Sequence, residues 1–529
     1  MACSLLLMAV CSWLCFSGAV ASRTFYTAAV FEHARVQPEN STVRHVIQTN
    51  LGYYKKAAQV AKLKGADIIL YPEYGLFMYS SEETLEKYTE NIPDPSKERA
   101  NPCQDGAKFH NRPILRTLSC IAKNNSMFVV ANAGDKQDCH GQEGCPPGGA
   151  FHYNTNVVFD RRGNLILKYH KEHLFFEEFM DLPKKQQDPR FETDFGTFAT
   201  YICFDIDYAR IGEVGRKVDA VLFSTMWFDA FPQYVSVQFW QSWSMGNNVT
   251  LLASNINNPR YYSVGSGMFH PQKGVIAYTH SPDGISKLVV ANVPRKGLEG
   301  HVPANVSITA INSTDAWPYK DDVKNLPLDC SSTIVEDKPG VYRCVEGRLE
   351  GYTFAKLSDP SGHVEACNNG MCCSVDYSTR DGFGDEHFYL GVFNGSYNAL
   401  DTYFFCEEDC VLARCDEKVD TAFGDIPCGV FPTKSAVAFK SVFLRANFTT
   451  DMVYPQVLGS GIRLLPNSDW HHHSAGYYHR QHVVPSPGDK INERLEVSSV
   501  HFENEQGKSL ISVGLKGRCF ERDPPFKRM

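Results

Sequence analysis

The sequence predicts an α/β domain whose sheets are covered by helices on one face and by another sheet on the other. A smaller, mainly β, disulfide-rich domain follows it. Three observations carry this. At 529 residues the chain is too long for one ordinary core, so two domains are expected. Residues 24–300 alternate strand-like and helix-like stretches, and the strand-like ones are continuous apolar runs rather than alternating ones. Beyond about residue 326 the chain turns to short β-rich runs punctuated by turn residues and cysteines.

Residues 1–22 carry an apolar run, Leu5–Val10, then the small residues Gly18-Ala-Val-Ala-Ser22. They read as a secretory signal cleaved after Ala21, although its start lacks Lys and Arg. The run is too short and too broken to span a membrane. Thr24–Phe31 is a first strand. Residues 43–64 read as a helix, with Val46, Ile47, Leu51, Tyr54, Ala57, Ala58 and Ala61 at helical spacing and Gly65 as the stop. Strands are expected at 66–72, 127–133, 155–160, 164–169, 197–203, 219–224 and 249–254. A helix is expected over about 233–246, with Val235, Phe239 and Trp243 on its apolar face. The first domain then covers 23–310. A loop-rich boundary over 296–325 holds Lys296-Gly, Pro303, Pro318 and two sequons. The second domain, 326–529, carries short strands such as Phe388–Phe393, Thr402–Phe405 and Ser509–Val513.

Composition points to an exported chain. Seven N-x-S/T sequons, at Asn40, Asn124, Asn248, Asn305, Asn312, Asn394 and Asn447, are candidate glycosylation sites. Of 18 cysteines, Cys3, Cys11 and Cys15 leave with the signal, and the fifteen that remain are an odd number. Setting Cys203 aside as a free thiol leaves fourteen that can pair completely. Cys103, Cys120, Cys139 and Cys145 lie before residue 150 and ten others after residue 320, so pairing is expected within each half. The adjacent Cys372 and Cys373 read as halves of two disulfides. A net charge of −8 with no basic block argues against a nucleic-acid partner. The polar stretch Lys516–Met529 has no GPI-anchor signal, so the expected location is secreted, extracellular, without a transmembrane span.

The stretch that bears chemistry is Thr197-Phe-Ala-Thr-Tyr-Ile-Cys203-Phe204-Asp205, a strand that ends on a cysteine. A thiol at a strand end can point into a cleft, with the following N–H groups beside it. A cysteine in a strand is ordinarily an inert core thiol. Two further strand ends change that reading: Ala66–Glu73 runs into a carboxylate, and Asn164–Lys171 runs into a lysine. Glu73, Lys171 and Cys203 are the parts that open an amide. The carboxylate takes the thiol proton and the thiolate attacks the carbonyl carbon. The ammonium and the Phe204 N–H hold the oxyanion, and the protonated Glu73 donates to the leaving amine.

These ordered Pro-Glu, His-Lys and Cys-Phe-Asp segments resemble the nitrilase superfamily of carbon–nitrogen hydrolases. The likeness is sharper to its secreted branch, the pantetheinases (vanins) and biotinidase. Leu118–Ser126, Val129–Asn132, Cys145-Pro-Pro, Tyr153–Phe159, Leu252–Asn255 and Gly265-Ser-Gly267 carry it, over most of residues 24–300 and more loosely to the C-terminus. The resemblance implies a four-layer α-β-β-α sandwich, with Glu73 as general base, Lys171 as catalytic lysine and Cys203 as nucleophile. It implies a small-molecule amide substrate and no cofactor: pantetheine first, giving pantothenate and cysteamine, with biocytin as the alternative. Three positions depart from the family's usual pattern: Tyr74 follows the Glu where an acidic or similar residue is usual, and Asp207-Tyr208 stand where the chain usually stays apolar.

Other residues have an ordinary role beside a functional one. Trp227, after the strand that follows the nucleophile, is a candidate pocket wall or a core aromatic. His170 and His173 flank Lys171 and read as packing and polar lining, with His173 the candidate for the substrate pocket. Asp469-Trp-His-His-His473 with His479 and His482 could hold a metal, but no thiol or carboxylate spacing completes a site, so a solvated loop and no metal are expected. A non-catalytic binding protein on the same scaffold is the reading from another class. It predicts the loss of one of the three reactive residues, and all three are present.

Overall fold

The computed structural model describes residues 23–525 except 39, 259–262, 299–300, 312–334, 339–340, 347–348, 400–401, 416, 422–423 and 484–489. The expected leader, the sequon at Asn312, Cys330 and the side chains of His479 and His482 lie outside the described ones.

Two sheets face each other. The first runs through β1 (Phe25–Glu32), β2 (Ile68–Leu70), β3 (Phe128–Asp138), β4 (Ala150–Phe159) and β5 (Leu165–His170). The second holds β6 (Arg190–Thr193), β7 (Gly196–Ile202), β8 (Ala220–Ser224), β9 (Thr250–Ser254), β10 (Ser266–His270) and β11 (Gly274–Thr279). The chain then returns to the first sheet as β12 (Lys287–Pro294) and β13 (Val306–Ala310), giving the orders β13-β12-β1-β2-β3-β4-β5 and β11-β10-β9-β8-β7-β6. The β1–β2–β3 and β7–β8–β9 pairings are parallel. Tyr26, Val30, Leu70 and Val130 of one sheet pack against Phe198, Leu222, Leu252 and Met268 of the other. Both faces of the central strands are thus covered, which is why they read as unbroken apolar runs.

Helices lie on the outer faces: α1 (Val43–Leu63), α2 (Glu82–Tyr88) and α3 (Pro113–Asn125) on one side, and α4 (Ala209–Gly215) and α5 (Ser236–Gly246) on the other. Helix α1 spans nearly the expected range. The Thr42 hydroxyl caps its start by accepting from the His45 N–H, and Gly65 ends it at φ 79°. Helix α5 departs from the amphipathic helix expected. Ser236 to Ser244 are all buried, because the C-terminal domain covers its outer face. Gln238 donates to the Ser512 hydroxyl at 3.1 Å, and Gln456 donates to the Gln233 carbonyl at 2.9 Å.

The C-terminal domain is mainly β, as expected, but the three strands expected as short are long. Phe388–Ala399 and Tyr403–Arg414 pair along their whole lengths, and the 29-residue strand Lys490–Arg518 pairs with four neighbours. Polar residues within them, such as the buried Glu407, Glu408 and Asp409, break the apolar pattern that a sequence reading follows. Trp470–Val483, expected as a solvated loop, is also a strand. Asp469 there pairs with Lys508, and His472 contacts the Ser498 hydroxyl at 2.6 Å. Disulfides join Cys103–Cys120 and Cys139–Cys145 in the first half, and Cys367–Cys372, Cys373–Cys410, Cys406–Cys519 and Cys415–Cys428 in the second. Cys372 and Cys373 therefore belong to two different bridges. Cys203 is unpaired. No helix among the described residues is long and apolar enough to cross a membrane.

Candidate active site

Three strand ends converge. Parallel strand β2 ends at Leu70, and Tyr71-Pro72 carries the chain on to Glu73. Strand β5 ends at His170, directly before Lys171. Strand β7, parallel to β8, ends at Ile202, directly before Cys203. The carboxyl ends of parallel strands are where α/β sheets leave room for a ligand. Glu73, Lys171 and Cys203 line one cavity of about 260 Å³, and all three are buried.

Each side chain is held by named partners. Glu73 Oε1 accepts from Lys171 Nζ at 2.8 Å and from Asn154 Nδ2 at 2.8 Å, while its Oε2 accepts from the Met226 N–H at 2.9 Å. The Met226 carbonyl faces Cys203 Sγ at 3.8 Å, so one loop residue touches both base and thiol. Cys203 has φ 41°, a left-handed conformation that a non-glycine side chain rarely adopts, and a 3-10 turn, Cys203–Asp207, starts there. The Phe204 N–H is in the first turn of that helix, where N–H groups have no partner within the helix.

Asp205 ties this turn to the lysine loop. It accepts from Tyr169 Oη at 3.0 Å and from the Glu172 and His173 N–H groups at 3.2 and 3.0 Å. The Tyr169 side chain before Lys171 and the backbone after it are thereby fixed against the cysteine turn.

A second carboxylate completes the cluster. Glu177 accepts from Lys171 Nζ at 2.6 Å, Tyr74 Oη at 2.5 Å, Asn154 Nδ2 at 2.5 Å and the Phe175 N–H at 3.0 Å. Four donors leave it little freedom to act as anything but an acceptor. Tyr74, at φ 50°, reaches it because its own N–H is held by Asn132 at 3.0 Å. Gly75 must follow, since a Cβ there would fall 2.2 Å from the Tyr54 hydroxyl oxygen. Neither Glu177 nor Asn154 was singled out from sequence. Glu177 lies six residues beyond Lys171 in a loop with no strand-end signal.

Electrostatics follow from burial and this charge set. Burial pushes Glu73 up, against the Lys171 ammonium, which lowers it. Burial pushes the Cys203 thiol well up, and the charge of Glu73 adds to the shift. Burial opposes the Lys171 ammonium, but Glu177 and Glu73 outweigh it and hold Lys171 well above a free lysine.

Residues 33–278 match the Carbon-nitrogen hydrolase family, and residues 343–523 match the Vanin C-terminal domain. Mouse pantetheinase is 32% identical over 476 residues, covering 86% of this chain and 85% of that protein. Human pantetheinase is 32% identical, covering 83% of each. A Takifugu rubripes biotinidase is also 32% identical, covering 83% of this chain and 87% of that protein. The chain belongs to the pantetheinase–biotinidase family of carbon–nitrogen hydrolases. It is a hydrolase acting on carbon–nitrogen bonds, on the four-layer fold that its sheets and helices display.

In this hydrolase a second cavity of about 410 Å³ adjoins the first and shares Phe175, Cys203, Met226 and Phe228 with it. Its walls come from both domains: Phe204, Trp227 and Tyr234 on one side, and Tyr397, Ala399 and Phe405 on the other. Trp227 stacks on Phe239 at 5.4 Å, and its Nε1–H donates to the Tyr234 carbonyl at 3.0 Å. His173 lines neither cavity. Its ring stacks on Tyr208 at 3.5 Å and contacts Asp205 at 2.9 Å, so it lies behind the nucleophile turn. His170 stacks on Tyr153 and contacts Asp135 at 2.8 Å. Among the described sequon asparagines, Asn40, Asn124, Asn248, Asn305 and Asn447 are exposed, and Asn394 is half-exposed.

Proposed function

We propose that the protein hydrolyses a secondary amide through a thioester on Cys203, with pantetheine as first substrate, giving pantothenate and cysteamine. The observation that carries the reading is the shared cavity: an unpaired buried cysteine, a braced carboxylate and a paired ammonium meet there. Relatives named pantetheinase, 32% identical, supply the substrate.

In the acylation step, Glu73 takes the Cys203 proton as the sulfur attacks the carbonyl carbon. The raised pKa of Glu73 favours that transfer, and the raised pKa of the thiol keeps it protonated until substrate is in place. The carbonyl oxygen becomes an oxyanion beside the Lys171 ammonium and the Phe204 N–H. Collapse breaks the C–N bond, and Glu73 returns the proton to the departing amine. Water then gives a proton to Glu73 and adds to the thioester, releasing the acid and restoring the thiol. The amine lies on the Glu73 side, in the smaller cavity, and the acyl group fills the larger one.

Biocytin, cleaved to biotin and lysine, is the second reading, because the biotinidase relative is as similar as the pantetheinases. Incubation of the purified protein with each amide, following free amine, tests both. No amine from either would end the amidohydrolase reading, and amine from biocytin alone would exchange the order. Disulfides in both halves support an exported, oxidising location, with glycans on the exposed sequons. Enzymatic removal of N-glycans from the secreted protein should then lower its mass.

A further inference from the structure

Asp207 closes the nucleophile turn and lines the larger cavity, in a wall that is otherwise apolar and aromatic. It is buried, and its Oδ1 finds no hydrogen-bond donor among the described residues. A buried carboxylate oxygen without a donor is costly, and a native structure holds few of them.

The cations nearby spend their terminal donors elsewhere, and Arg518 Nε has no acceptor among the described residues. Arg518 donates to the Asp207 backbone carbonyl at 2.8 Å, to the Cys406 carbonyl at 2.6 Å, and to both oxygens of Asp523 at 3.1 and 2.8 Å. Lys516 pairs with Glu407 at 2.6 Å and with Asp409 at 3.7 Å. The Tyr234 hydroxyl, from the cavity wall, donates to Glu407. Arg518 of the C-terminal domain therefore holds the backbone of Asp207 where the residue lines the cavity. Burial, against the field of Arg518, pushes this carboxyl up to about 7, as expected of a group deprived of donors.

We propose that Asp207 reads the acyl half of the substrate by accepting a hydrogen bond from a neutral donor, a hydroxyl or an N–H, carried on an otherwise apolar acyl chain. This rests on the acyl group occupying the larger cavity, as proposed above. A neutral donor fits because the walls offer apolar contact along the chain and one acceptor at this point. An acyl chain lacking the donor would leave the carboxylate unsatisfied, which is how a polar site rejects a close analogue. The donor is a hydroxyl in a pantothenoyl group and a ureido N–H in a biotinyl group.

Binding to Cys203→Ser protein, measured by calorimetry, tests this without requiring turnover. Four amides form two matched pairs: the cysteamine amides of pantothenate and of its hydroxyl-free analogue, and the lysine amides of biotin and of its cyclic carbonate analogue. The donor-bearing member of one pair should bind roughly 10- to 100-fold more tightly than its partner, and the pair that shows the gap identifies the source of the donor. Adding Asp207→Leu should close that gap. Because the gap compares two ligands on one protein, a partly misfolded variant does not distort it. No gap in either pair, or a gap that survives Asp207→Leu, would overturn the proposal. Hydrolysis of the same amides by the wild-type protein tests the parent reading separately.

Discussion

Lys171 Nζ lies 2.6 Å from Glu177 Oε2, closer than its 2.8 Å contact with Glu73, so one buried ammonium faces two buried carboxylates. One positive charge does not neutralise two negative ones, and the charge of Glu177 raises the proton affinity of Glu73. Glu177→Gln keeps the shape and removes that charge. Glu73 then becomes a weaker base, so the acid limb of the kcat/KM profile should move to lower pH and kcat should fall by roughly 10- to 100-fold. An acid limb that stays in place would show that Glu177 does not act through Glu73.

Cys203→Ser should abolish turnover while folding and secretion persist. The hydroxyl is far less acidic than a thiol of pKa about 8.5, so Glu73 cannot deprotonate it in the attack. In the wild-type protein, alkylation under denaturing, non-reducing conditions should label Cys203, the cysteine left unpaired by the bridges. Peptide mapping that finds label elsewhere, or an active serine variant, would count against the assignment.

Lys171→Met and Glu73→Gln should fail differently. Loss of the ammonium removes an interaction that strengthens as the oxygen becomes negative, so kcat should fall at least the ~100-fold typical of an oxyanion donor, with KM little changed. Glu73→Gln should suppress acylation itself, because the thiol loses its base. Rapid-mixing measurement of the thioester separates the two roles. A change in KM alone at Lys171, or normal acylation at Glu73→Gln, would reassign them.

Glu90 gives a stability prediction. Its carboxylate accepts from the Ile114 and Leu115 N–H groups at 2.7 and 3.0 Å, capping α3, which starts with Pro113 and has no local side-chain cap. Burial pushes its pKa up to about 7, against those two N–H donors. Between the unfolded carboxyl value, 4.5, and about 7, the folded state therefore binds more protons than the unfolded state. Stability from this group should fall as pH rises through that window, by up to about 1.4 kcal/mol per pH unit. Glu90→Gln should remove that slope. Melting curves of the two proteins at several pH values check it, and parallel curves would contradict it.

What was legible in the sequence was local. Continuous apolar runs announced the central strands, and the spacing from Val46 to Ala61 announced α1. The three reactive residues could be found because each follows its strand by no more than three positions. Helix α3 does carry a local signal, Pro113 at its first position and Ile114, Leu115, Leu118, Ile121 and Ala122 at helical spacing; what the sequence hides is its cap, Glu90, more than twenty residues upstream.

The sequence by itself determined the family, the layered α/β core and the supply of a carboxylate, a lysine and an unpaired cysteine. Those depend on residue type, on unbroken apolar runs and on the 3.6-residue helical period, which are written along the chain. Only the tertiary structure decided which groups surround them. Glu177 and Asn154 meet Lys171 and Glu73 through loop and sheet geometry, and His173 turns away onto Tyr208. Tyr397, Ala399 and Phe405 become a wall of the cavity beside Cys203 because they pack onto Phe204 and Phe175, some two hundred residues away in sequence. The same packing buries α5 on all sides and places Asp207 in the wall of a largely apolar cavity. Contacts between residues far apart in sequence depend on how whole layers stack, and no local pattern encodes that.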